Sequence, residues 1–195
     1  MARRKRINKK VLMSIFIVAI MVLSAFGFMM SYQTNQQDKL KDYNGFKFSR
    51  TQKGIKTNIE GNDFYFNYYP GDLENITVPE EAKLIFSDAK VIFFTYDPES
   101  DFASTIAEKQ FDMEQKLTKI GSRFITKGFT NSTGYALPQI ACSNATSAMP
   151  VYQIEQCNET KIVVEDNCVK LTAANEFELN AYHAKLLYIF LGVMK

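Results

Sequence analysis

The sequence predicts an α/β domain, with α+β as the alternative class, behind one N-terminal transmembrane helix. Residues 11–30 form an apolar run without charge or proline. Residues 46–69 alternate apolar and polar side chains, and residues 91–172 place an amphipathic helix among short apolar segments. We therefore expect one mixed-sheet domain that combines an antiparallel meander, a βαβ unit and a C-terminal helix.

The apolar run at residues 11–30 predicts the membrane anchor. A helix of this length, at about 1.5 Å per residue, spans roughly 30 Å, which is the thickness of a bilayer's hydrocarbon core. A helix also satisfies its own backbone hydrogen bonds in lipid. The lipid bilayer is therefore the first predicted partner.

The charges beside this run predict its orientation. The segment after the run carries two aspartates against two lysines, whereas six basic residues precede it: Arg3, Arg4, Lys5, Arg6, Lys9 and Lys10. Basic residues remain on the cytoplasmic side. We expect residues 1–10 to be a cytoplasmic head and the large C-terminal part to be extracytoplasmic, in a single-pass cell-membrane protein.

Two alternatives for the N-terminal segment stay open. A cleaved secretory signal also joins a basic head to an apolar stretch, and Ala25, Phe26 and Gly27 offer cleavage-like spacing. Signal peptides usually have only about 7 to 15 apolar residues, which is shorter than this run. A pilin-like leader is the other alternative, although the run lacks an early acidic residue.

The composition after the run predicts a tether and then one domain. Residues 31–43 are polar without apolar periodicity, as in a short solvated tether. Structure is expected to begin near Asn44, so the domain covers residues 44–195, a common size for one domain. The formal charge of +2 comes from the basic head, and no nucleic-acid partner is expected.

Periodicity predicts the elements of the domain's first two thirds. Alternating aromatic residues over 46–69 indicate three antiparallel strands, followed by a short helix after Pro79. The apolar run at 91–94 indicates a central strand buried on both faces. An amphipathic helix over 102–120 and a strand over 123–130 then complete a βαβ unit.

The last third of the chain is predicted to contain a long loop, three short segments and a final helix. The loop covers 131–150, and the segments cover 151–155, 161–165 and 168–172. Asn175 is the expected N-cap of the helix. The side chains expected to face inward are Phe177, Ala181, Ala184, Leu187, Tyr188 and Leu191.

The element order over residues 89–194 resembles the thioredoxin-like arrangement. A strand, a helix and a strand come first, and Met149 and Pro150 then lead into a strand, a hairpin and a helix. The resemblance implies a cis proline before the third core strand. The loop after Phe94 contains no CxxC motif, so the scaffold implied is one without the redox pair.

Four glycosylation sequons lie beyond the apolar run, at Asn75, Asn131, Asn144 and Asn158. All four fall on the predicted outer side, and three lie in the loop-rich segment 131–160. Glycans attach to sequons of this kind in secreted and surface domains. We therefore predict a glycoprotein, with unmodified turn asparagines as the alternative.

The three cysteines predict one disulfide, because the outer face of a membrane is oxidising. If residues 151–172 form a meander, Cys157 and Cys168 lie at opposite ends of the sheet, whereas Cys142 shares the end of Cys168. We predict a Cys142–Cys168 disulfide, with Cys157 either buried or paired between molecules. No cysteine or histidine spacing indicates a metal site.

Asp97, Glu99 and Asp101 follow the predicted central strand, where open α/β sheets hold ligands. They form a candidate ligand or cation loop, and capping of the next helix is the alternative. His183 is the only histidine and lies in the last helix without a nucleophile motif. The sequence therefore predicts no catalytic residue and no cofactor.

These features together predict a non-enzymatic extracytoplasmic module. It would bind an unknown protein partner at the outer face of the membrane or help to assemble an envelope complex. The competing hypothesis is an extracytoplasmic redox or thioredoxin-like enzyme that lacks a CxxC motif and uses Cys142, Cys157 and Cys168.

Overall fold

The structure, a computed structural model, describes residues 9–33, 38–121 and 123–195. The chain divides into two compact units, residues 1–38 and residues 39–195. The basic residues predicted to form most of the cytoplasmic head, Arg3, Arg4, Lys5 and Arg6, lie outside the described residues.

The first unit contains one helix, α1 (Lys9–Gln33), which includes the whole predicted apolar run. Its apolar side chains are exposed, as at Phe16 (66 %) and Leu23 (71 %). Within the described ranges, no helix is both long enough and apolar enough to cross a membrane. The predicted transmembrane span is therefore unsupported by the structure.

The second unit opens with a four-stranded sheet whose last three strands form the predicted antiparallel meander, and whose first strand lies in the predicted tether. Its strands, in spatial order, are β1 (Asp38–Lys39), β2 (Phe48–Thr51), β3 (Gly54–Ile59) and β4 (Asn62–Phe66). Order begins before Asn44, because the Leu40 amide donates to the Phe48 carbonyl at 3.0 Å. Phe64 and Phe66 are buried, so the period-two pattern has identified the inner face.

The predicted βαβ unit is confirmed. After the short helix α2 (Glu80–Asp88) come β5 (Val91–Tyr96), α3 (Ala103–Lys119) and β6 (Phe124–Phe129). Strand β5 pairs in parallel with β6 on one side and with β7 (Val151–Gln156) on the other. The central, doubly paired position of β5 explains its continuous apolar sequence.

The last three strands do not form the predicted meander. Strand β9 (Cys168–Ala173) lies beside β7 in parallel, and β8 (Lys161–Glu165) is the outer strand, so the sheet order is β6-β5-β7-β9-β8. Strand β9 lies between β7 and β8, and this inner position buries all its residues except Lys170. No peptide bond among the described residues is cis, so the cis proline implied by the thioredoxin-like resemblance is wrong.

The final helix, α4 (Glu176–Phe190), is capped as predicted, because Asn175 Oδ1 accepts from the Glu178 amide at 2.9 Å. Its predicted inner face is wrong at Phe177, which is 72 % exposed. The helix lies between the two sheets and is buried on two sides. Tyr188 stacks on Phe66 with ring centroids 4.2 Å apart, and His183 faces Tyr152 of the larger sheet.

The two faces of the five-stranded sheet have different coverings. Helices α2, α3 and α4 cover one face and share its main hydrophobic core. The loop over residues 131–150, which includes a 3-10 turn at Cys142–Asn144, covers the other. Under this loop a small cluster forms from Ile140, Val151 and Cys168.

Candidate functional site

The three acidic side chains of the predicted loop accept hydrogen bonds from three different groups. Asp97 Oδ1 accepts from the Glu99 amide at 3.0 Å, and Asp101 accepts from the Gln156 side-chain amide at 3.2 Å. The Tyr135 hydroxyl donates to Glu99. No group of three acidic, histidine or cysteine residues in the described chain could hold a metal ion. The role of this loop as a ligand or cation site stays a prediction.

The cysteines pair as predicted. Cys142 and Cys168 form a disulfide with their Cα atoms 5.2 Å apart, and the Cys168 side chain is fully buried. Cys157 is free and exposed, so its predicted burial is wrong. Its pairing between molecules stays a prediction.

All four sequon asparagines, Asn75, Asn131, Asn144 and Asn158, are exposed and lie outside regular helices and strands, within turns or a short 3-10 segment. Asn131 Oδ1 accepts from the Thr133 amide at 3.2 Å, and Asn144 Oδ1 accepts from the Ala141 amide at 2.9 Å. These bonds use the side-chain oxygen, whereas a glycan is attached at the amide nitrogen. Glycosylation itself stays a prediction.

A cavity of about 250 Å³ lies between the end of β4, the middle of α3 and the face of α4. We call it the α3–α4 pocket. Its lining includes two aromatic residues, two lysines and two polar residues of α4: Tyr65, Tyr68, Lys109, Lys116, Asn180 and His183.

Helical spacing explains how α3 and α4 form this pocket. Residues three, four or seven apart share one face of a helix, so Lys109, Asp112 and Lys116 project together from α3. Asn180 and His183 are likewise one turn apart on α4. The pocket is thus lined by neighbouring polar side chains on two packed helices.

His183 is the most buried polar group of the pocket, with 2 % exposure. Burial, together with the positive charges of Lys109 and Lys116, lowers its pKa to about 3. The imidazole is therefore neutral at physiological pH. Both lysines line the same cavity as the ring.

The partner of His183 assigns the position of its proton. The Tyr152 hydroxyl lies 3.1 Å from His183 Nδ1, and burial raises the pKa of Tyr152 well above its ordinary value. Tyr152 is therefore neutral, and its hydroxyl has no other hydrogen-bond partner among the described residues. We assign it as the donor to Nδ1, which places the ring proton on Nε2. Nε2 is buried and has no hydrogen-bond partner among the described residues.

A second unpaired polar atom lies on the same helix. Asn180 Oδ1 is buried and has no partner within the described chain. A buried polar atom without a partner costs about 1–3 kcal/mol, and such atoms in native proteins call for an explanation. Thr57 Oγ1 is also unpaired, but it does not line this pocket.

Three lysines line the pocket, and two of them, Lys109 and Lys116, are buried. Each of these two is only 8 % exposed. Lys109 pairs with Glu108 at 3.3 Å, and Lys116 pairs with Asp112 while its Nζ lies 5.2 Å from the ring centroid of Phe66. Burial lowers the pKa of Lys116, and Asp112 opposes that shift. Because an ammonium has three N–H donors, each retains capacity for a ligand.

Aromatic side chains also line the pocket, at Tyr65, Phe66 and Tyr68. The exposed Phe177 ring, which is outside the lining, lies 6.4 Å from the Tyr68 ring, centroid to centroid. Lys53 Nζ lies 5.9 Å from the ring centroid of Tyr65. Most of the lining residues are polar or charged, and the aromatic rings supply its apolar part, so the pocket suits a small polar ligand.

Comparison of the chain with family models, with curated proteins and with solved structures found no match. The site must therefore be interpreted from its own chemistry. Sequence reasoning noted His183 but assigned it no site, and it missed the lysines. Their signal was present, because Lys109 and Lys116 share the buried face of α3 with Ile106 and Met113.

Proposed function

We propose that this protein is a membrane-attached extracytoplasmic binding module, not an enzyme, and that the α3–α4 pocket is its ligand site. The observation that carries the proposal is that His183 and Asn180, each with one buried unpaired polar atom (Nε2 and Oδ1), line the same cavity. A bound molecule would pair both atoms. The domain would bind its ligand in this pocket and associate with a protein partner at the outer face of the membrane or within an envelope complex.

The cysteines and the sequons support an extracytoplasmic location. Disulfides persist in oxidising compartments, and the Cys142–Cys168 bridge closes a segment with a sequence separation of 26. The exposed positions of all four sequon asparagines fit attachment of glycans on that side.

The N-terminal segment supports the proposed attachment. Basic residues precede α1, and its apolar side chains from Met13 to Phe26 are exposed. A contiguous exposed apolar surface of this kind marks a site of contact with a membrane or a protein. A bilayer would cover this surface. Retention of the apolar segment distinguishes an attached protein from the secreted alternative, and retention of the basic head distinguishes it from the pilin-like one.

The competing redox function has less support. Cys168 is fully buried, so its sulfur is shielded from an attacking thiolate. Cys157, the exposed thiol, follows β7, whereas Cys168 opens the parallel neighbour β9, which places the two at opposite ends of the sheet. A bridge with one fully buried sulfur, together with a separate thiol, is typical of a structural disulfide.

Labelling of Cys157 tests the location. Intact cells that express the full chain are treated with a membrane-impermeant maleimide, and we expect the labelling to equal that of lysed cells. Cys157→Ser is the control and should abolish the signal. Labelling that requires lysis would place the domain inside the cell and overturn the proposal.

Carbonate extraction of the same cells tests the attachment. We expect the full-length protein to stay in the membrane pellet. Recovery of a shortened protein in the soluble fraction would instead establish the secreted form.

A further inference from the structure

We propose that the α3–α4 pocket binds a small monocarboxylate that carries a hydrogen-bond donor next to its carboxyl group, as α-hydroxy and α-amino acids do. The inference rests on the proposed function, because it names the ligand class of the same pocket. Three features of the pocket carry it: its donors, its acceptor and its size.

The donors favour a carboxylate. His183 presents an unpaired Nε2–H, and the buried lysines Lys109 and Lys116 place positive charge beside it. Charge-assisted hydrogen bonds from ammonium groups to a carboxylate are roughly twice as strong as neutral ones. Glu108 and Asp112 pair with these lysines but occupy only part of their three N–H donors, so a carboxylate gains more from the remaining donors than a neutral oxygen does.

The acceptor adds the second requirement. Asn180 Oδ1 is unpaired and needs a donor from the ligand. Asn180 precedes His183 by one helical turn, a spacing that brings Cβ atoms to about 5–6 Å. A hydroxyl or ammonium group on the carbon next to the carboxylate can therefore reach Asn180 while the carboxylate meets His183.

The size of the cavity excludes larger acids, and its acidic residues exclude acids with a second carboxylate. The cavity of about 250 Å³ is below the roughly 300–1,000 Å³ of sites for drug-sized molecules. Glu108 and Asp112 also line it and would repel a second carboxylate. The aromatic walls at Tyr65 and Tyr68 accommodate a short apolar side chain.

The single histidine makes a direct test possible. Full-length protein in detergent micelles is labelled with [¹⁵N]histidine, so His183 gives the only imidazole signals. L-lactate and L-alanine should each shift the Nε2 resonance saturably. Propionate, which lacks the donor, should bind at least about tenfold more weakly, the effect of one unpaired buried acceptor. Alanine methyl ester, which lacks the carboxylate, should produce no shift.

Variants of Asn180 separate the two kinds of acid. Asn180→Leu should remove the preference of lactate and alanine over propionate. Asn180→Asp adds a negative charge, which should abolish lactate binding but preserve alanine binding through its ammonium group. The two acids are then compared on the unmodified protein. Tighter binding of lactate identifies a hydroxyl as the donor, and tighter binding of alanine identifies an ammonium group.

A matched lysine pair tests the charge. Lys116→Met should weaken binding of every carboxylate about tenfold or more. Lys119→Met, on the same helix but outside the pocket lining, should leave binding unchanged. Equal losses in both variants would overturn the assignment of Lys116 to the site.

Two results would overturn the ligand class. One is the absence of a saturable shift with both acids in a protein that retains its folded spectrum. The other is propionate binding as tight as that of lactate and alanine. Both leave the labelling of Cys157 unaffected, so failure of the ligand class is distinguishable from failure of the proposed function.

Discussion

The two faces of the five-stranded sheet are stabilised in different ways. On the helix-covered face, large aromatic rings pack together: Phe94 lies 4.9 Å from Tyr152 and Phe86 lies 4.2 Å from Phe190, centroid to centroid. The loop-covered face has only the small cluster around Ile140 and a covalent bridge. Burial stabilises the first face, and cross-linking stabilises the second.

This difference explains where a ligand site can exist. Aromatic residues bury about 150–250 Å² each. The helix-covered face therefore buries enough apolar area to offset the free-energy cost of the unpaired atoms of His183 and Asn180. The loop-covered face has little such area. Its backbone is instead fixed by the disulfide and by one buried bond from Thr95 Oγ1 to the Ile140 carbonyl at 2.7 Å.

Removal of the disulfide is the change with the largest expected effect. Cys168→Ser should lower the free energy of unfolding by about 3 kcal/mol, because the bridge restricts a long segment of the unfolded chain. Chemical denaturation measures this loss. Limited proteolysis should cut the loop over residues 131–150 first, while the helix-covered face stays intact.

Cys157→Ser is the matched control for that change. Its side chain is exposed and unbridged, so we expect a loss below about 1 kcal/mol. Equal losses in the two variants, or uniform proteolysis of the whole domain after Cys168→Ser, would contradict the separation of the two faces.

Acid should affect the helix-covered face through His183. Its pKa is about 3 in the folded protein against an ordinary 6.5, so the unfolded state binds the proton first as the pH falls. The contribution to stability is complete above pH 6.5 and is lost progressively towards pH 3. By pH 5 the free energy of unfolding should have fallen by about 2 kcal/mol.

The chain has one histidine, so a substitution isolates this effect. In His183→Gln the loss between pH 6.5 and pH 5 should largely disappear, as measured by urea unfolding at each pH. An unchanged slope would show that His183 is not the group that titrates. The disulfide is insensitive to this range, so the loop-covered face should not contribute.

The sequence predicted much of the fold because local patterns determine individual elements. Helical periodicity located α3, the cap Asn175 located α4, and the apolar run at 91–94 located the central strand. The disulfide was also predicted correctly although the strand order was wrong. The prediction depended only on the directions of β7 and β9, which are the same in a meander and in the observed sheet.

The remainder could not be predicted because it depends on packing between distant segments. Nothing local shows that β9 separates β7 from β8. Phe177 was expected inside because it follows the apolar spacing of α4, but it lies in the first turn of the helix, where residues 176 and 177 are both exposed. The pocket forms only where α3 and α4 pack together, and the sequence does not show that these two helices are neighbours. A lysine on an apolar helix face does not indicate which residues it contacts.

The smallest expected effect concerns Thr95, the polar contact on the loop-covered face. Thr95 is fully buried in β5, and its hydroxyl donates to the Ile140 carbonyl. Thr95→Val preserves the shape and leaves that carbonyl unpaired, so the free energy of unfolding should fall by about 1 kcal/mol. Hydrogen exchange of the Ile140 amide, which pairs with the Phe129 carbonyl at 2.9 Å, should accelerate. Thr95→Ser retains the hydroxyl and should retain the slow exchange. If Thr95→Val instead accelerated exchange on α4 and left Ile140 protected, the two faces would be coupled through β5 and not independent.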